Sequence, residues 1–348
     1  MNRDFVKITN AQDLKDIKRT AEHTKLLQEQ GLRPTKLDMP LTLQFELTRN
    51  CNLRCKHCYN ASGIQKFQDA MTPQKWVDFA HYIVDRGGIF ECILSGGEPL
   101  LMGDTLFEIM DILHEDGTNF LLITNGMLLK EETVKRLSKY RFLWLQVSID
   151  GYNAETHDAF RGVKGSWERA VNGAYAVSKN GLPLTIAHSI TPQSLPDMEK
   201  MCDLAYQLGA GSLLIGEIIP SGRSNENKEI LMSYEERNEM LKKIGELRAK
   251  YAGRMEIQRS ANTKIQLMRY QQTLNSGAII RPNGDIRLDC MTPFIIGNVL
   301  RDDFQQMWTQ KSATCWHHPR LTEYIDSMDM QTGYSNILNY VDEDILID

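Results

Sequence analysis

Three cysteines fall within eight residues, Cys51, Cys55 and Cys58, at C-x3-C-x2-C spacing directly after the β-type run Leu41 to Leu47. Soft thiolates suit iron–sulfur clusters, and three on one loop can hold three irons of a cubane. The fourth iron then lacks a protein ligand, which leaves an open coordination position on a redox centre. The competing reading is a structural zinc site completed by His57 or a distant histidine. Such sites usually come as two paired halves closing a tetrahedron, and no second half follows here. A ferredoxin arrangement needs a fourth cysteine at short spacing, which is also missing. The spacing favours the open-site cluster.

A second motif lies one βα unit further on. Ile89 to Leu94 reads as a buried strand that runs into Ser95-Gly96-Gly97-Glu98-Pro99. Paired glycines at a strand's carboxyl end let a ligand approach the backbone closely. Glu98 and nearby carbonyls can accept hydrogen bonds from an ammonium group, and Pro99 fixes the exit of the turn. Alone, this would read as an ordinary strand-to-helix turn. After the cysteine triplet it reads as part of the same site.

Together these motifs resemble the radical S-adenosylmethionine (SAM) superfamily. Cys51, Cys55 and Cys58 match its cluster motif, with His57 in the aromatic slot, and Gly96-Gly97-Glu98 matches the segment that binds the methionine ammonium. The likeness continues through Gln146 to Gly151, where it implies that Ser148 and Asp150 lie near the ribose. His157 to Gly162 resembles the segment that supplies an arginine, here Arg161, to the methionine carboxylate. Tyr59, directly after the cysteines, and Asn125, at the end of an intermediate strand, complete the implied SAM-binding set. The resemblance covers residues 41 to 220, in order. It implies one [4Fe–4S] cluster, SAM, and a one-electron reductant such as flavodoxin or ferredoxin. It also implies reductive cleavage of SAM to a 5′-deoxyadenosyl radical that abstracts hydrogen from a substrate C–H bond.

The elements that must position these residues follow a βα rhythm. Strands are expected at 41–47, 90–95, 119–123, 143–149, 183–190 and 212–219, with helical patterns between them. Thr72-Pro73 starts the first of these helices and Gly87-Gly88 stops it. The pattern predicts an α/β fold, a partial (β/α)6 TIM-type barrel at 41–225, with a small C-terminal β-hairpin plus helix extension. Catalytic groups should gather at the carboxyl ends of the strands. Residues 1–40 hold one helix, from about Ala11 to Gln30, and 226–260 a connecting helix.

Residues 261–348 form the extension. Ala278 to Leu288 reads as a hairpin turned by Asn283-Gly284, followed by Cys290. The order resembles the SPASM or twitch extension, which holds auxiliary clusters in relatives. Here only Cys290 and Cys315 remain for such a role, with His317 and His318 as non-thiol candidates. A degenerate extension without metal is the expectation. The tail from Asn339 to Asp348 is acidic yet apolar enough to dock.

Composition narrows the function. The chain has 348 residues, 42% of them hydrophobic, with 40 basic against 45 acidic side chains and a formal charge of −5. That balance argues against an obligate nucleic-acid partner. No apolar run is long enough to span a membrane, and no signal peptide opens the chain. Seven cysteines without a paired framework suit a reducing cytoplasm.

Substrate contacts are expected on the barrel's inner face. Gln44, Glu46 and Thr48 alternate with Leu43, Phe45 and Leu47, so one set faces inward. Glu46 is the first candidate and Glu217, at the end of the last strand, the second. Cys290 is the candidate hydrogen-atom donor for an epimerisation. The likeness to peptide-modifying relatives points to a ribosomally made peptide as substrate, for crosslinking or epimerisation. A sugar or other small polar metabolite is the alternative, and a non-catalytic iron–sulfur or zinc protein the third. Residues 1–40 are too short for the winged-helix module that grips leader peptides, so leader recognition would need a separate leader-binding protein or another surface.

Overall fold

The computed structural model describes residues 3–63, 68–330 and 344–347. A helix, α1 (Phe5–Glu29), precedes the first strand, β1 (Thr42–Glu46). The chain then passes through α2 (Pro73–Val84), β2 (Glu91–Ser95), α3 (Asp104–Glu115), β3 (Asn119–Thr124), α4 (Glu131–Leu137) and β4 (Phe142–Ser148). Two helices, α5 (Ala154–Arg161) and α6 (Ser166–Lys179), lead to β5 (Leu184–Ile190). After them come α7 (Met198–Gln207), β6 (Ser212–Glu217), α8 (Tyr234–Tyr251) and β7 (Glu256–Arg259). β1 to β7 lie side by side in chain order, and every pair is parallel. This is an α/β fold of the partial TIM-barrel type.

Strand alternation sorts the side chains onto two faces. Leu43, Phe45 and Leu47 are fully buried, Phe45 lies against Trp76 and Phe79 of α2, and the register sets Cys92 and Leu94 beside them. Each such side chain contributes roughly 1.5–3 kcal/mol by leaving water. The Trp76 indole also donates to Leu47 O at 3.0 Å, tying α2 to the end of β1. The other face carries Gln44, Glu46 and Ser95, with Gln44 Nε2 donating to Ser95 Oγ at 2.9 Å. Burying one face against helices leaves the polar face to line the barrel.

Beyond β7 the chain returns to the opposite edge of the sheet. After α9 (Thr263–Gln272), β8 (Gly277–Ile280) pairs parallel with β1. It turns through Asn283-Gly284 into the antiparallel β9 (Asp285–Arg287), and β10 (Phe294–Asn298) follows. Two helices come next, α10 (Phe304–Lys311) and α11 (Pro319–Ser327). Finally β11 (Ile345–Leu346) adds to β10 in parallel. The extension thus continues the barrel sheet, which has eleven strands among the described residues. Of the tail expected to dock, Asp344 to Ile347 does so, while 339–343 and 348 lie outside the described residues.

The structure corrects the expected secondary-structure elements in three places. The barrel has a seventh parallel strand, β7, inside the stretch assigned to a connecting helix. It is four residues long and buries only Ile257 deeply, so it has almost no periodic signal. Helix α1 starts at Phe5 rather than near Ala11, because Asp4 caps it and is itself held by Tyr234 of α8 at 2.6 Å. Helix α5 was not foreseen, although Asn153 caps its first turn.

Candidate active site

The cysteine loop leaves β1 and is bound on three sides by backbone. From β2, Gly97 N donates to Thr48 O at 2.6 Å and Glu98 N to Asn50 O at 2.9 Å. A Cβ on Gly97 would stand 2.1 Å from Asn50 O, and one on Gly96, whose φ is 137°, 2.7 Å from Thr48 O. The close approach these glycines allow is therefore between two strand ends, not only toward a ligand. From α5, the last-turn carbonyls of Phe160 and Arg161, which have no partner within their helix, accept from Lys56 N and Arg54 N, each at 3.0 Å. From the loop after β6, Arg223 N donates to Cys58 O and Arg223 Nε to Cys55 O. Arg223 thus braces the cysteine loop through both its backbone and its side chain. Ala61, in the same loop, is the one non-glycine with positive φ (46°) among the described residues, a strained conformation that clusters at functional sites.

The three thiols sit in an apolar nest of Leu53, Met127 and Val163. Burial pushes the Cys51 thiol up to about 12 and raises that of Cys55. Donors nevertheless point at the sulfurs, Asn125 Nδ2 at Cys51 Sγ (3.8 Å) and Arg161 Nη1 at Cys55 Sγ (3.6 Å). Among the described residues no three His, Cys, Asp or Glu side chains converge as ligands of one ion do. A cubane needs no such convergence, because each thiolate takes a different iron. Three soft donors in a dry pocket, with N–H groups aimed at sulfur, fit that group.

Arg161 is held from behind. Its Nε lies 2.6 Å from Asp150 Oδ2, and both side chains are buried. Burial works against the Asp150 charge, but Arg161 and the surrounding histidines hold its carboxyl well below the usual range. Asp150 Oδ1 also accepts from Ser189 N at 2.7 Å, and Asp150 N donates to His157 Nδ1 at 3.1 Å. Asp150, expected beside a ribose, thus has its carboxylate engaged by Arg161 and β5. His57 stacks on Phe160 with ring centroids 4.7 Å apart. Buried His188 faces Asp150 and Ile149 O, and so belongs to this network.

Glu98 lies completely buried under its turn. It accepts from Thr124 Oγ1 at 2.7 Å, Asn125 N at 2.9 Å and Leu100 N at 3.2 Å. Burial raises its carboxyl despite these donors. It therefore joins the ends of β2 and β3 and positions Asn125, whose amide reaches back to Cys51 and Asn52. Ser148 ends β4, on the inner face with Gln146.

On the substrate side, Glu46 is fully buried and accepts from Tyr59 Oη at 2.7 Å. Burial and Glu46 push the Tyr59 phenol well up, with Cys290 and Arg287 also acting on it, so β1, the cysteine loop and the extension meet there. Cys290 is raised well above an ordinary thiol, first by burial and then by Asp289. Glu217 is a correction. It shares the helix-facing side of β6 with Leu213 and Ile215 and pairs with buried Arg237 of α8. Strand parity alone carried that signal. Thr48, expected inward, gives its hydroxyl to Asp69. Cys92 and Cys202 are core residues, and buried Cys315 lies against Asn275 and Ser312 O.

Comparison with known proteins defines the class. Residues 45–205, from β1 to α7, match the Radical SAM superfamily. Proteins of this superfamily are enzymes that use a [4Fe–4S] cluster and SAM. Over 191 residues the chain is 37% identical to an AdoMet-dependent heme synthase of Methanosarcina barkeri, covering 55% of this chain and 54% of that protein. Over 280 residues it is 25% identical to AlbA, the subtilosin biosynthesis protein of Bacillus subtilis, covering 78% and 60%. The chain spans about half the length of the first curated relatives it matches. In fold it is similar to Streptococcus suis SuiB bound to SAM, with a TM-score of 0.66 at 15% identity over 89% of this chain and 72% of that one.

Proposed function

We propose that this chain is a radical SAM enzyme that abstracts a hydrogen atom from a peptide C–H bond, opening a crosslink or an epimerisation. When bound, the cluster supplies the electron that divides SAM into methionine and a 5′-deoxyadenosyl radical. The chain's own residues contribute position and exclusion of water. Cys51, Cys55 and Cys58 hold the cluster. Arg161 offers its guanidinium to the methionine carboxylate, and Asp150 fixes it. The Gly96-Gly97-Glu98 turn serves the ammonium end through its backbone carbonyls, while the Glu98 carboxylate holds the turn from beneath, and Asn125, Ser148 and Tyr59 complete the SAM set. Glu46 and Cys290 stand on the substrate side, and Cys290 returns a hydrogen atom if the outcome is epimerisation. The electron comes from a protein reductant such as flavodoxin or ferredoxin.

The observation that carries the peptide reading is the shape of the space. A cavity of about 320 Å3 lies between the barrel floor and the extension, lined by Gln44, Ile93, Tyr270 and Cys290 among others. A groove of about 750 Å3 adjoins it between α1 and the extension, sharing Tyr270, Thr273, Leu274, Asn275 and Trp316 as walls. A side-chain-sized chamber at the end of a longer groove suits an extended chain. AlbA, which is 25% identical to this chain over 280 residues, is a bacteriocin biosynthesis protein. A tetrapyrrole is the second reading, favoured by the 37% identity to a heme synthase.

The test incubates the anaerobically reconstituted chain with SAM, dithionite and a precursor peptide encoded beside its gene. Loss of two hydrogens, or deuterium uptake from heavy water at one residue, supports the peptide reading. Unchanged peptide alongside turnover of an iron porphyrin would replace it with the second.

A further inference from the structure

Two arginines of the extension point onto the barrel's inner face. Arg281 follows β8 and Arg287 lies on β9 opposite Ile279, in line with Gln44 of β1. They are 4% and 1% exposed. Arg281 Nη1 bonds Asp344 Oδ2, and Arg287 Nε stands 3.9 Å from Asp344 Oδ1. On its other side Arg281 Nε is 3.6 Å from Glu46 Oε2, and Glu46 holds Tyr59, the neighbour of Cys58. Arg287 Nε also donates to Thr292 O at 2.6 Å.

Four buried charges so close to the cysteine loop are an expensive way to anchor a tail. A buried ion set is often matched or bettered in stability by apolar residues of similar volume. The tail already has such anchors, since Ile347 is buried and the amides of Ile345 and Ile347 bond Pro293 O and Ile295 O. The added feature is a carboxylate presented to two guanidinia on the face where substrate contacts gather. Paired arginines bind carboxylates through planar, charge-assisted hydrogen bonds.

We propose that Arg281 and Arg287 form a carboxylate site inside the barrel, that Asp344 of the chain's own C-terminal strand occupies it, and that a substrate carboxylate takes it in exchange. The inference rests on the barrel holding a substrate, as proposed above, and on nothing about the reaction that follows. Acidic side chains of peptides and carboxylate arms of porphyrins share the required chemistry. Glu46 faces the same arginine, so it sets the register of the incoming group by repelling a second carboxylate.

Hydrogen exchange at the Ile345 and Ile347 amides of the full reconstituted chain tests this without turnover. The probes are acetyl-Gly-Glu-Gly-amide and coproporphyrin III, with the glutamine peptide and the porphyrin tetramethyl ester as neutral controls. A saturating acid probe is expected to speed exchange at these amides about tenfold while its neutral control does not. Which acid acts separates peptide from macrocycle. R287Q should remove the response. Should that variant not fold, D344N keeps both arginines and is expected to bind the labelled glutamate peptide about tenfold more tightly than wild type. Exchange unmoved by either acid, with unchanged binding in D344N, overturns the proposal and leaves Asp344 an anchor only. Failure to modify any peptide would overturn the peptide reading and leave these readouts intact.

Discussion

The cysteine loop and the C-terminal hairpin both reach the inner face of the barrel beside β1, yet different forces hold them. The loop is bound by backbone hydrogen bonds from β2, α5 and the turn after β6, at contacts that tolerate no extra atom. The hairpin meets the barrel through side chains, in the chain Tyr59–Glu46–Arg281–Asp344. Backbone contacts fix a cofactor loop in one geometry. A charge network can exchange partners, which suits the side that must accept a substrate.

That contrast predicts a brittle side and a separable one. The largest effect is expected from Gly97→Ala, whose Cβ would meet Asn50 O at 2.1 Å. It should cost roughly 3 kcal/mol or more of stability and abolish iron uptake, checked by thermal unfolding and iron analysis. Normal iron content in a stable variant would break the comparison. Cys290→Ala is expected to abolish formation of an epimerised product while 5′-deoxyadenosine release continues, a split read by chromatography of both products. Unchanged product yield removes Cys290 from the reaction. Arg161→Lys keeps the charge but loses the planar fork. It should lower SAM cleavage about 100-fold through a loss of roughly 3 kcal/mol of binding, with cluster content retained.

The last effect concerns pH. Burial, with Arg161 adding to it, holds His157 down to about 4, below its ordinary value of 6.5. The folded state therefore resists a proton that the unfolded chain accepts. Stability is fully present above pH 6.5 and falls as pH drops toward 4, by up to roughly 3 kcal/mol. His157→Phe should flatten that slope in denaturant titrations at pH 7, 5.5 and 4.5. An unchanged slope would show that His157 does not carry it.

The parts legible in the sequence are those whose signals are local. Cysteine spacing, the Gly-Gly-Glu turn and six strands with short apolar or alternating runs could be read directly, and so could the Asn283-Gly284 hairpin. Contacts between distant segments left no such trace. Nothing near Asp344 announces Arg281, and nothing near Glu217 announces Arg237 on α8. Four-residue β7 offers too few positions for alternation to show. Nothing beside Gly222 announces why it is glycine, since the need is set by the backbone of Cys58 and Tyr59, 2.4 Å from any added Cβ.

The central claim is that Cys51, Cys55 and Cys58 hold the one cluster and that it drives SAM cleavage. Iron per chain after anaerobic reconstitution, measured with 5′-deoxyadenosine formation on wild type and a triple-alanine variant of these cysteines, tests it most directly. The account predicts about four irons with SAM cleavage in the wild type and neither in the variant. About four irons surviving in the variant would contradict it and place a cluster on Cys290, Cys315 and non-thiol ligands.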